Sequence, residues 1–222
     1  MKLRLLHCLP IIFILAGAVF GGIKRQSYTN ITKDNKYLEY IQTAEFPEEL
    51  AKDCFNKMLK SLSNSDIILR VSVSGDIEHI FGASRQKVCV QEVYAGSDLE
   101  IGDEIYLTSR HWYLNLKNNP GSLERGFINI MNTDNEYLVF ISHQIDTLDD
   151  EMPSTYKLVD DHFIAPVFCY KNQINIILPT DEISTYVPYI EVKNNEFFAT
   201  SKATLDAWDN MKIELLSAYP DY

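Results

Sequence analysis

Alternating apolar and polar positions in the middle of the chain predict β-strands. A period of two is typical of a half-buried strand, because successive side chains point to opposite faces of the sheet. We expect the first strand to end at Gly75 and Asp76, since both residues are depleted in strands. Three segments follow the pattern: residues 66–74, 87–94 and 104–108.

Two pairs of short apolar segments, each pair separated by asparagine-rich turn residues, predict β-hairpins. The expected strand pairs are residues 127–131 with 136–142 and residues 189–193 with 196–200. A further strand is expected around Phe163–Cys169. Pro166 favours an edge strand or a bulge there, because proline has no N–H to donate to a neighbouring strand.

Helical periodicity lies on either side of the predicted strands. Proline and two glutamates in residues 46–49 are typical of a helix start, and the helix is expected to reach about Ser63. A final helix is expected after Ser201 or Thr204 and ends near Pro220. The apolar residues that define the two helical faces are Leu50, Cys54, Met58 and Leu62 in the first, and Leu205, Trp208, Met211 and Leu215 in the second.

Together these elements predict an α+β fold that is predominantly β. We expect a curled antiparallel sheet or an OB-like barrel, with an amphipathic helix before it and another at the C-terminus. Residues 46–222 are predicted to form this single β-rich domain.

Four segments carry a resemblance to a known family: Asp66–Val71, Val88–Gly96, Leu99–Ile105 and Asn135–Phe140. They resemble the barrel core of netrin-like, OB-type domains, which include the tissue inhibitors of metalloproteinases and uncharacterised bacterial surface proteins. The resemblance covers about residues 66–142 and implies a barrel. It also implies protease inhibition, which in that family uses a zinc-chelating cysteine at the mature N-terminus. No cysteine lies near Val19, the start expected after signal cleavage.

The N-terminal sequence predicts that the protein is located outside the cytoplasm. Two basic residues precede the apolar segment 5–23, which suits either a secretory signal or a single transmembrane anchor. Small residues before position 19 permit cleavage after Ala18, so secretion and membrane anchoring both stay open. Residues 1–23 are thus predicted to be the signal or transmembrane helix, and residues 24–45 a linker.

The charge balance disfavours nucleic acid as a partner. The chain carries 31 acidic and 20 basic residues, a formal charge of −11. Four of the basic residues precede position 26, which leaves the predicted domain more acidic still. Such a surface repels phosphate backbones, whose binding depends on lysine and arginine. Protein, peptide or glycan partners remain.

Three cysteines follow the N-terminal segment, and two interpretations of them stay open. They can all be buried free thiols, since each has apolar neighbours. Outside the cytoplasm one disulfide could form, and Cys89 with Cys169 would join two predicted strands. Metal binding is not predicted, because no Cys-x-x-Cys pair occurs.

Candidate chemistry is sparse. Phosphate-binding, dinucleotide-binding, zinc-protease and nucleophile-elbow motifs are absent from the sequence. His111, Trp112 and Tyr113, in a predicted surface loop, are the candidate ligand-binding residues. In the alternative, Trp112 closes the end of the barrel. Asp160-Asp161-His162 is predicted to be a turn.

We therefore expect a non-enzymatic, extracytoplasmic or membrane-tethered interaction module without a cofactor. A protease-inhibitor-like netrin-type module is the first alternative. A hydrolase with an unrecognised site is the second. A Cys–His pair built on Cys54, Cys89 or Cys169 is disfavoured, because burial in an apolar stripe raises the pKa of a thiol and lowers its reactivity.

Overall fold

The computed structural model describes residues 13, 17, 19–21, 41–80, 83–96, 98–112, 115–116, 123–125, 127–146, 154–178 and 186–221. The chain divides into two compact units, residues 1–38 and 39–222. Most of the predicted signal or anchor, residues 1–23, lies outside the described residues, although positions 13, 17 and 19–21 are helical. Among the residues described, no helix is both long and apolar enough to span a bilayer.

Strands outnumber helices in the described part of the larger unit, which confirms the predicted α+β fold with more strand than helix. The last residues of the predicted linker form its first strand. In chain order the elements are β1 (Ile41–Ala44), α1 (Glu48–Leu62), β2 (Ile67–Ile80), β3 (Ala83–Ala95), β4 (Glu104–Thr108), β5 (Asn115–Leu116), β6 (Leu123–Arg125), β7 (Glu136–Ile145), β8 (Thr155–Leu158), β9 (Val167–Cys169), β10 (Tyr186–Pro188), α2 (Tyr189–Val192) and α3 (Lys202–Ala218).

Five strands close into a barrel in the order β2-β3-β4-β8-β7, with β7 pairing back to β2. The β4–β8 pair is parallel and the other four pairs are antiparallel, so the barrel is mixed. This architecture is consistent with an OB-like barrel. A second, smaller sheet has the order β10-β1-β6-β5.

The barrel is filled by aliphatic side chains and covered on one outer face by helices. Val71, Val90 and Val139 are fully buried and lie on adjacent strands. On the other face of β7, the ring of Phe140 contacts Tyr219, just beyond α3, at 5.8 Å between ring centroids. Strand alternation thus separates an aliphatic interior from an aromatic layer beneath the helices.

The first strand is longer than predicted. Instead of ending at Gly75 and Asp76, β2 continues to Ile80, with a register shift against β3 between Val73 and Ile77. A side chain at position 75 would come within 3.1 Å of the Lys87 Cβ. Glycine here accommodates a bulge and a close neighbouring strand rather than ending the strand.

Neither predicted hairpin forms. Residues 127–131 make only an isolated bridge, between Ile128 and Phe197, and β7 pairs with β2, β8 and β9 instead. Residues 189–192 form the short helix α2, and residues 196–200 make only isolated bridges, one of them between Ala199 and Phe46. The pattern misled because residues 127–131, 136–142 and 196–200 pair with distant parts of the chain, not with their neighbours.

Both predicted helices are confirmed, although Leu50, expected on the apolar face of the first, is 46% exposed. Helix α1 begins at Glu48 and ends at Leu62, and α3 is capped by Ser201, whose hydroxyl accepts a hydrogen bond from the Thr204 N–H. Strand β9 is shorter than the strand predicted around Phe163–Cys169, since it begins only after Pro166, and it lies at the edge of its sheet. Strands β5, β6, β8 and β10 were not predicted.

Candidate functional site

The predicted recognition loop places its tryptophan in the core. Trp112 is only 4% exposed and belongs to the hydrophobic cluster. Its backbone N–H donates to the Ser109 carbonyl at 3.2 Å, and the Ser109 hydroxyl accepts from the His111 N–H at 3.1 Å. Tyr113 lies outside the described residues. The ligand-binding role of His111, Trp112 and Tyr113 stays a prediction, and the buried position of Trp112 favours the alternative of a space-filling side chain.

The structure brings His111 next to the predicted turn at residues 160–162, which sequence reasoning did not anticipate. Arg110 donates to the His111 Nε2 at 3.4 Å and also contacts Asp160. Burial lowers the pKa of His111, the positive charge of Arg110 lowers it further, and a hydrogen bond with the His162 backbone opposes them. His111 therefore stays neutral at physiological pH and serves to join two loops.

His162 forms a hydrogen bond with a serine of α1. Its Nε2 lies 2.8 Å from the Ser61 hydroxyl oxygen. That hydroxyl also lies 3.0 Å from the Lys57 carbonyl oxygen. The tautomer of His162 decides which of the two side chains donates. The pair ties the loop to the last turn of α1.

The three cysteines are free thiols in this structure. Cys89 lies on β3 and Cys169 on β9, and β2 and β7 separate these strands in the sheet. A Cys89–Cys169 disulfide is therefore not formed here. Burial raises the pKa of Cys54 and of Cys169, which lowers their thiolate fraction and their reactivity. No group of three or more potential metal ligands occurs among the described residues.

A cleft of about 530 Å³ lies beside the segment that follows β9. We call it the amide cleft, because asparagine and glutamine dominate its walls. Lys171 and Glu191 supply one charge of each sign, and two isoleucines supply apolar surface. The amide and isoleucine side chains are Asn132, Asn135, Asn172, Gln173, Asn194, Asn195, Ile174 and Ile176.

The cleft is built by side chains that bind backbone. The Asn195 amide accepts from the Ile176 N–H at 3.1 Å and donates to the Ile176 carbonyl at 2.6 Å. The Asn175 oxygen accepts from the N–H groups of Glu196 and Phe197, at 2.7 and 3.2 Å. These clamps hold the extended segment 172–178 against residues 195–197 without a regular strand ladder.

The amide cleft exposes apolar surface as well as amides. Ile174 is 84% exposed, more than any other large hydrophobic residue that the structure describes. Ile176 beside it is 45% exposed. Exposed aliphatic side chains next to neutral hydrogen-bonding groups are suited to binding rather than to catalysis.

Sequence reasoning missed the amide cleft. The stretches 132–135 and 194–195 were interpreted as turns, which is the usual role of asparagine. Their signal was compositional: asparagine recurs in three segments of the domain that end up side by side. No protein-family model matches the chain, and no curated protein matches it significantly.

Proposed function

We propose that this chain is a non-enzymatic interaction module that binds an uncharged ligand in the amide cleft. The observation that carries the proposal is the cleft itself, with six amide side chains and balanced charges on a strongly acidic chain. A neutral site on such a surface attracts neither cations nor anions strongly. Hydrogen bonding and apolar contact remain as the sources of affinity.

The chemistry of the cleft fits a peptide or protein segment, or a glycan. Amide side chains both donate and accept, which matches peptide groups and sugar hydroxyls. Ile174 offers an aliphatic contact for a ligand side chain or for the apolar face of a sugar. Nucleic acid fits poorly, because the chain lacks a basic patch at this site.

We also propose that the barrel is of the netrin-like type. A netrin-like barrel would account for the OB-like strand order and for the helices α1 and α3, which lie against each other. Protease inhibition through a barrel rim is the alternative function that this assignment brings with it. We also propose that the domain acts outside the cytoplasm, secreted or anchored through residues 5–23.

Binding of the intact domain to two arrays tests the proposal: one of immobilised glycans and one of random peptides. The wild-type domain should bind members of one array. An Asn172→Ala/Asn194→Ala variant should bind those members about thirtyfold more weakly, since each of the two lost hydrogen bonds contributes roughly 1 kcal/mol. The matched control is Asn56→Ala/Asn210→Ala, which removes two exposed amides from α1 and α3. Equal loss in the control, or no binding to either array, would contradict the proposal.

A further inference from the structure

A lysine and a glutamate meet in the protein interior, between α3 and the residues that precede it. The Lys212 Nζ lies 2.5 Å from the Glu196 Oε2, and the two side chains are 8% and 4% exposed. Aromatic rings form the surroundings. Trp208 stacks on Phe197 at 5.0 Å between ring centroids, and the Lys212 Nζ lies 5.3 Å from the Trp208 ring. Charges in such a place lose their hydration, which disfavours the carboxylate form of Glu196.

The second oxygen of the Glu196 carboxyl is held by a backbone donor. The Cys169 N–H donates to the Glu196 Oε1 at 2.7 Å. A fixed N–H on one carboxyl oxygen polarises the carboxyl carbon and stabilises negative charge that develops on that oxygen during nucleophilic attack. The amine, at the other oxygen, is next to that carbon.

Protonation of this cluster also suits a reaction between the two groups. Burial raises the pKa of Glu196 to about 7, against the opposing effect of Lys212, so the neutral acid is well populated. A third group, Asp209, lies three residues before Lys212 on α3, and its negative charge adds to the raised pKa of Glu196.

We propose that Glu196 and Lys212 condense into an intramolecular amide cross-link. A proton first passes from the Lys212 ammonium to the Glu196 Oε2 along their hydrogen bond. The Nζ lone pair then attacks the Glu196 Cδ, a bond forms between them, and the bond from Cδ to Oε2 breaks. A second proton passes from the nitrogen to Oε2, which leaves as water. An ammonium and a carboxylate give an amide and one water, so no oxidant, cofactor or second substrate is consumed.

The cross-link would close a covalent loop between residues 196 and 212. It would fasten α3 to the backbone beside the amide cleft, next to the Asn175 and Asn195 clamps. A covalent closure restricts the unfolded chain and so stabilises the folded one.

Tryptic mapping of the purified wild-type chain tests the cross-link. In an unlinked chain, cleavage after Lys202 and Lys212 gives separate peptides 194–202, 203–212 and 213–222. The cross-link predicts one species instead, in which peptide 194–202 is joined to an uncleaved 203–222 and is lighter by one water than their sum. Finding only the separate peptides in folded wild-type protein would overturn the proposal.

One variant keeps the test independent of folding. Lys212→Arg retains the charge but lacks the amine, and should yield separate peptides in a folded domain verified by circular dichroism. The same joined species in Lys212→Arg would assign the linkage elsewhere and overturn the proposal.

Discussion

The barrel and the C-terminal connection are held together by different forces. By C-terminal connection we mean residues 171–201, described over 171–178 and 186–201. The barrel depends on strand pairing around an aliphatic interior, as at the fully buried Val71 and Val139. The connection depends on side chains such as Asn195 that bind backbone directly. Side-chain clamps leave neighbouring amides and isoleucines facing solvent, and the proposed binding site lies in this less regular region.

The largest effect on stability is expected for a substitution in the aromatic layer between the barrel and α3. Phe140 is fully buried, and its ring lies 6.1 Å from Phe168 and 5.8 Å from Tyr219. Phe140→Ala should lower the free energy of unfolding by about 3–5 kcal/mol, because it leaves a cavity between β7 and α3. Urea denaturation measures this. Ile213→Ala, at a 63% exposed position on α3, is the control and should change stability by less than about 0.5 kcal/mol. A loss below about 1 kcal/mol for Phe140→Ala would contradict the description of the aromatic layer.

A substitution in the C-terminal connection should lower stability by an intermediate amount, and its effect should be confined to that region. Asn195→Ala removes both bonds to Ile176 and leaves two backbone groups without their partner. We expect the free energy of unfolding to fall by about 2 kcal/mol, because two partly buried backbone groups lose their hydrogen bonds. Hydrogen exchange should accelerate at the Ile176 amide and stay slow at Val90, whose N–H donates to Asp103 in the barrel.

Asn194→Ala is the matched control for the clamp. Asn194 lines the same cleft, next to Asn195, but is exposed. Its removal should leave both amide exchange rates unchanged. Comparable acceleration at Ile176 and Val90 in Asn195→Ala would show that barrel and connection unfold as one unit.

Most of the barrel was predictable because its interior strands carry a local signal. Strand β4 was predicted with its observed bounds, since alternation and flanking turn residues both mark it. Strand β8 was not, because it is short and pairs in parallel with β4 from far along the chain. Likewise, no local pattern reveals that a strand continues through Gly75 by bulging.

The candidate site was not predictable, for a related reason. Asparagine next to asparagine is typical of turns, and only the folded backbone shows that Asn195 binds Ile176 across the cleft. Trp112 drew attention because aromatic residues in loops often bind ligands, yet its burial depends on contacts that the local sequence does not encode. The contacts that form the cleft join groups that are distant in sequence.

The smallest expected effect is on the pH dependence of stability, through a buried carboxyl beside the C-terminal connection. Glu45 lies beside the connection: the next residue, Phe46, donates its N–H to the Phe198 carbonyl at 2.7 Å. Burial raises the pKa of Glu45 to about 7, and its Oε2 has no hydrogen-bond partner among the described residues. A carboxyl with a raised pKa in the folded state binds protons more tightly there than in the unfolded chain. Its contribution to stability is therefore full below pH 4.5 and is lost as the pH rises through about 7.

Glu45→Gln should remove on the order of 1 kcal/mol from the difference in unfolding free energy between pH 5 and pH 8. Urea denaturation at both pH values measures it.

Glu196 is the other carboxyl whose pKa burial raises to about 7, with Lys212, Asp209, Tyr137 and Cys169 as its charged or titratable neighbours. If the Glu196 carboxyl is part of the amide cross-link, it no longer titrates. The free energy of unfolding of Glu45→Gln is then nearly constant between pH 5 and pH 8. If the carboxyl is free, a second dependence of the same sign persists, so the residual slope reports the state of Glu196. An unchanged slope in Glu45→Gln would show that Glu45 is not buried as the structure places it.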